Sequence, residues 1–303
     1  MKAVASFVMR GPARSAMVAT VLAVLSIIIP FVGVFSSASV ALVTLRLGGL
    51  AAAKVLLLAT LACAVLMTLI FGNPLAALGF LLVLWIPVVV LGLLLRNTRS
   101  LALTTQAGLI FGLLAILVQY ISMGDPAAFW REYLEPMSQR FIEAGLFDQA
   151  QSVEVLDRLS RMMCGLVSVG FLLQMLLSLY AARWWQAILY NPGGFADEYQ
   201  QMRLHRFVGI AGAAALMLGL LPEQSYPAIL GCMGAVVLGL LFLQGMAVIH
   251  GLVKRVNSAQ LWLVVTYLML IVFLPQMVLV MISIGLLDIW IDFRARFKSQ
   301  NSG

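Results

Sequence analysis

Two aspartates, Asp288 and Asp292, stand one helical turn apart, so a helix carries both carboxylates on one face, with Arg294 following at once. Paired carboxylates can do acid–base chemistry. The neighbouring arginine instead favours a charged helix end, where opposite charges neutralise one another. A second group is uncharged: Gln119 and Gln174 fall inside apolar runs, and Ser36, Ser37, Ser39 and Thr44 lie on a half-length apolar segment. Such side chains bind a neutral or mildly polar solute, or hold helices together by hydrogen bonds. A third group, Arg183, Trp184, Trp185, Asn191, Gly193 and Gly194, joins an aromatic pair to a Pro-Gly-Gly turn. Aromatic rings and arginine there serve as an interfacial anchor, or the glycine turn holds an anion.

Several chemistries lack their residues. The three cysteines, Cys63, Cys164 and Cys232, fall in different apolar runs without CxxC spacing, and the only histidines are His205 and His250. We expect no disulfide framework, no metal site and no cofactor. No nucleophile–base constellation is visible, and no Walker motif. The reading is a non-enzymatic protein whose energy coupling, if it transports, comes from a partner.

The elements that must position these residues are set by the solvent. Hydrophobic residues make up 63% of the 303, charged residues 10%, and the mean hydropathy is +1.05. That composition belongs to an integral membrane protein. A helix needs about 20 apolar residues to cross a hydrocarbon layer of ~30 Å. Runs at 15–35, 50–71, 74–95, 101–121, 162–189, 206–221, 225–250 and 259–293 qualify as span regions. The segment 36–49 is about half a span, and Pro275 interrupts the last block. The expected fold is all-α, a polytopic transmembrane bundle of about 8–10 helices in one integral membrane domain, 1–303. It has a short broken N-terminal helix, an external amphipathic insert at 122–161 and a cytoplasmic loop at 190–206.

Charge selects among the counts. With ten crossings, Lys2, Arg10, Arg14, Arg46, Lys54, Arg96, Arg99, Arg183, Arg203, Arg206, Lys254, Arg255, Arg294, Arg296 and Lys298 share one side. Arg131, Arg140, Arg158 and Arg161 remain on the other, inside the one long insert. By the positive-inside rule both termini are then cytoplasmic, in a bacterial inner membrane. The net charge of +7 answers to anionic headgroups, so nucleic acid is not an expected partner and the bilayer is. Within the insert, Phe129, Tyr133, Met137 and Phe141 recur at helical spacing. After a break, Asp148 and Gln151 read as a capping box that starts a second amphipathic helix.

The stretches RWWQAILYNPGGF at 183–195 and GLLDIWIDFR at 285–294 resemble the YybS-like family of bacterial inner-membrane proteins. That family is distantly similar to the substrate-binding membrane subunits of energy-coupling-factor vitamin transporters. The resemblance implies a solute-binding or transport-related subunit, with a small-molecule solute and a coupling subunit or other membrane protein as partners. The alternative is a scaffold or assembly factor that binds proteins through the external helices or the Pro-Gly-Gly loop.

Overall fold

The computed structural model describes residues 1–146, 148–222, 225–254 and 259–296, and every regular element among them is helical. Two of the cytoplasmic cations expected above, Arg255 and Lys298, lie outside the described residues.

Helix α1 (Lys2–Val8) turns at Gly11 into α2 (Pro12–Leu25), and a short 3₁₀ turn, Pro30–Val32, leads into α3 (Gly33–Leu47). The sequence suggested a full span at 15–35 followed by a half-length segment, and here the structure corrects it. The chain breaks earlier, at 26–29. Pro30 has no N–H for the Ser26 carbonyl and its ring clashes there, so α2 cannot run on. Ser26 Oγ instead donates to the Ala23 carbonyl at 2.6 Å. Helix α2 has 14 residues, or about 21 Å, short of a hydrocarbon layer.

Helix α4 (Gly49–Phe71) is followed by α5 (Ala76–Gly79), a π-helical stretch Phe80–Trp85 and α6 (Ile86–Thr98), which together make one continuous span. The π stretch precedes Pro87, whose missing N–H a widened turn tolerates. Then come α7 (Leu101–Met123) and α8 (Pro126–Glu143). Helix α9 (Gln149–Tyr190) has 42 residues, because the second amphipathic helix of the insert and the following span are one rod. At 1.5 Å per residue it is about 63 Å long, roughly twice the hydrocarbon thickness. Its start is the expected capping box: Gln151 N donates to Asp148 Oδ1 at 2.8 Å and Asp148 N to Gln151 Oε1 at 3.3 Å. Helix α8 folds back along the first half of α9, tied by Ser138 to Ser152 and by the Arg131–Asp157 ion pair.

The chain ends with α10 (Gly194–Gln200), α11 (Arg206–Leu218), α12 (Ala228–Val253), α13 (Ala259–Val272), α14 (Leu274–Ile291) and α15 (Phe293–Arg296). The last apolar block is thus two helices, parted at Phe273 with Pro275 in the first turn of α14.

Side-chain pairings give the directions. Leu241 meets Gly285, Gln244 meets Asp288 and Gly251 meets Arg294, so α12 and α14 run parallel and α13 must return between them. Gly33 meets Gln174 and Arg46 meets Tyr190, so α3 and α9 are parallel. Helix α2 opposes α3, since Ser36 reaches Ala19 and Gly33 abuts Ser26. Among the described residues, seven runs are long and apolar enough to cross a membrane, and three shorter apolar helices (α2, α11, α13) complete an alternating series. The described chain therefore starts and ends at the same end of the bundle. Arg46, Arg96, Arg183, Arg203 and Arg294 gather there, which makes it the basic end; the α8–α9 hairpin projects from the opposite one.

Helix α12 is the packed centre. Val236 and Leu241 fit into notches left by Gly112 of α7 and Gly212 of α11, and its backbone touches that of α14 at Gly245 and Gly285. Small residues give membrane helices this close approach, since lipid offers little hydrophobic drive for association.

Candidate functional site

The small polar residues of α3 are fully buried in helix contacts. Ser36 Oγ donates to the Ala19 carbonyl at 2.7 Å and accepts from Trp85 Nε1 at 3.0 Å. Ser39 Oγ bonds the Ser36 carbonyl at 2.7 Å, and Thr44 Oγ1 the Val40 carbonyl at 2.9 Å. Ser37 Oγ and Gln174 Nε2 are buried without a hydrogen-bond partner among the described residues, Gln174 against Gly33. With its leading 3₁₀ turn α3 covers 18 residues. It therefore satisfies its own backbone, and the half-length helix with exposed backbone groups does not occur. Gln119 belongs to another place. Its amide donates to the Cys164 carbonyl at 3.2 Å and Ser168 Oγ at 3.0 Å, and its Oε1 accepts from Trp130 Nε1 at 3.3 Å, knitting α7, α9 and α8 together.

At the basic end, Asn191-Pro192-Gly193-Gly194 makes a type II turn: Gly194 N donates to the Asn191 carbonyl at 3.0 Å and Gly193 has φ +88°. Arg183 pairs with Glu198 through both guanidinium arms, fastening α10 to α9. The two tryptophans separate. Trp184 is 39% exposed, whereas Trp185 is 1% exposed and stacks on Phe35 at 6.1 Å between centroids. Successive helical residues point about 100° apart, so both rings cannot face the interface as an anchor pair.

Asp288, Asp292 and Arg294 form a lock beneath the same loop. Asp288 Oδ2 accepts from Gln244 Nε2 at 2.9 Å and from an Arg294 terminal nitrogen at 2.6 Å, and its Oδ1 accepts from Phe293 N at 3.1 Å. The other Arg294 arm donates to the Gln200 and Met202 carbonyls, both at 2.8 Å. Asp292 takes Arg203 at 2.8 Å. Both Asp288 oxygens are occupied by donors in the buried interior, an arrangement that fixes a loop and offers no open face for proton transfer.

An open cavity lies at the hairpin end, where the base of α8, the middle of α9 and the start of α12 converge. It encloses about 640 Å³. Asp125, the Arg131–Asp157 pair, Ser160, Arg161 and Tyr226 supply polar walls, and Gly165, Leu166, Cys232 and Ala235 an apolar floor. Asp125 accepts from Ala127 N at 3.0 Å as the N-cap of α8, while Arg161 makes no ion pair among the described residues. None of the serines, the threonine or the glutamines singled out in the sequence lines this cavity. Its residues come from three stretches up to about a hundred positions apart. Only the acid–arginine mixture of 122–161 pointed to them.

An alternating series of apolar helices with buried polar ties defines a polytopic α-helical membrane protein. The chain belongs to the DUF2232 family of predicted membrane proteins, whose family model matches residues 17–289. No curated protein and no solved structure matches it.

Proposed function

We propose that this protein is a non-enzymatic, solute-binding subunit of a transport system, without an ATPase of its own, and that the outer cavity is its binding site. The cavity carries the reading: its 640 Å³ falls within the roughly 300–1,000 Å³ usual for small-molecule pockets, with a few polar groups over an apolar floor. Arg161 is placed to take an acidic group of the solute, and Ser160 and Tyr226 to orient it. The positive-inside rule makes the basic end, with both termini, cytoplasmic in a bacterial inner membrane, so the cavity faces outward. The resemblance to the YybS-like proteins, and through them to energy-coupling-factor subunits, supports the same role and a coupling subunit as partner.

Native mass spectrometry of the full-length protein in nanodiscs tests it. A small molecule should be retained by the wild type and lost at least ~10-fold in Arg161→Gln and in Ala128→Trp, which fills the mouth; tenfold corresponds to about 1.4 kcal/mol. Retention unchanged in both variants would remove the cavity from consideration.

A scaffold role is the second reading, favoured by the exposed apolar stripe of α8: Phe129, Tyr133, Met137 and Phe141. Reversing the charges of Glu132, Glu135 and Glu143 should then dissolve a protein complex while solute retention stays as it was.

A further inference from the structure

Charge locates the membrane on the walls of the outer cavity. On α9 no charged residue occurs between Arg161 and Arg183, and around α7 none occurs between Arg99 and Asp125. A crossing takes about 20 residues, so these uncharged stretches are the parts within the hydrocarbon layer. Asp125 and Arg161 are then the first charges beyond it at the hairpin end. Both line the cavity and so share one depth, the level of the lipid headgroups. Helix α12 agrees: about 20 residues back from Val253, beside Lys254 at the basic end, the layer ends near the floor residues Cys232 and Ala235. The membrane boundary therefore passes through the cavity. Its charged walls stand outside, and Met162, Gly165 and Leu166 line it at the hydrocarbon edge. Met162 and Leu166, one helical turn apart, are each 48% exposed, so protein does not seal the apolar half.

The charges on the walls do not all cancel locally. Arg131 is paired with Asp157, whereas neither Asp125 nor Arg161 makes an ion pair among the described residues. Asp125 caps α8 with Oδ1 alone, which leaves Oδ2 without a partner among those residues. One charge of each sign thus remains at headgroup depth, above an apolar floor. We propose that the cavity takes a zwitterionic amphiphile from the outer leaflet. The acidic group of its head meets Arg161, its amine meets Asp125, and its alkyl chain runs past Met162 and Leu166 towards the bilayer. This inference rests on the reading of the cavity as a solute site and adds the class of solute. A water-soluble zwitterion satisfies the same two charges but leaves the floor unused. Each methylene buried there tightens binding by roughly fourfold, so the chain decides between the two.

The test titrates the full-length protein in dodecyl maltoside with three probes, read by native mass spectrometry. Lauroyl lysophosphatidylethanolamine has head and chain, glycerophosphoethanolamine has the same head without the chain, and lauroyl lysophosphatidic acid lacks the amine. The first should bind the wild type at least ~10-fold more tightly than either of the others, a difference of about 1.4 kcal/mol. Asp125→Asn, which keeps a good cap on α8, should abolish the preference over lysophosphatidic acid. Arg161→Gln should weaken both lipids at least ~10-fold. Equal binding of glycerophosphoethanolamine would overturn the amphiphile and leave a solute site in place. Equal binding of lysophosphatidic acid by the wild type would overturn the zwitterionic head. Lysophosphatidylethanolamine held equally by the wild type, Arg161→Gln and Ala128→Trp would be adsorbed on the outer surface of the bundle, and the solute reading of the cavity would fall as well. The three wild-type affinities decide the class of solute even if a variant folds poorly.

Discussion

Replacing Gly285 by alanine tests the contact on which the centre of the bundle depends. A Cβ at 285 would lie 2.1 Å from the Leu241 carbonyl oxygen and 2.8 Å from Gly245 N. A carbon normally approaches a carbonyl oxygen no closer than about 3.3 Å, so α12 and α14 must separate by roughly 1 Å. Both obstacles are backbone, and no side-chain rotation relieves them. The same shift stretches the 2.9 Å bond from Gln244 to Asp288 to about 4 Å, beyond hydrogen-bonding range. Overpacking costs about 1–3 kcal/mol and a buried group left unsatisfied about 1–3 kcal/mol. Alanine's helix propensity returns roughly 1 kcal/mol. The net loss should be about 1–5 kcal/mol, read as SDS-induced unfolding in mixed micelles by tryptophan fluorescence. Gly170→Ala is the control, because no atom lies within 4 Å of its added Cβ, and it should be neutral or slightly stabilising. If Gly285→Ala were as stable as Gly170→Ala, the backbone contact would be wrong.

Asp288→Ala removes the buried carboxylate that pairs with Arg294 at 2.6 Å and accepts from Gln244. It should cost roughly 3–5 kcal/mol and raise amide hydrogen exchange across 191–205, while Asp288→Ala with Arg294→Met should recover part of that loss. Trp185→Leu should destabilise by about 1–3 kcal/mol through the void beside Phe35, whereas Trp184→Leu should stay within roughly 0.5 kcal/mol, both followed by the same unfolding assay. Single cysteines placed at 2, 98 and 193 in a cysteine-free background should label from one face of the membrane, and at 140 from the other. Labelling of 2 and 140 from the same face would break the alternating topology. Asp148→Ala should cost about 1 kcal/mol of local stability, visible as faster exchange in the first turn of α9 with the membrane-embedded half unchanged.

Composition and the spacing of apolar runs determine that this chain is a membrane bundle, because about 20 apolar residues have few other stable environments. Local signals were legible too: the capping box at Asp148, the type II turn at Gly193 and the break at Pro275 each depend on residues within one turn of themselves. The N-terminal boundary misread has a local cause as well, since Pro30 acts on the carbonyl four residues before it, and a hydropathy run does not register that. The polar ties were not legible. Which of two adjacent tryptophans turns inward depends on where Phe35 stands across the bundle. Whether Asp288 and Asp292 are open or locked depends on Gln244, Arg203 and Arg294, of which only the last is near in sequence. The outer cavity arises where α8, α9 and α12 converge. Membrane helices associate through side-chain shape and buried hydrogen bonds, with little hydrophobic drive between them. Partners across helices are therefore chosen by three-dimensional fit, and periodicity along one helix contains no information about the face it will meet.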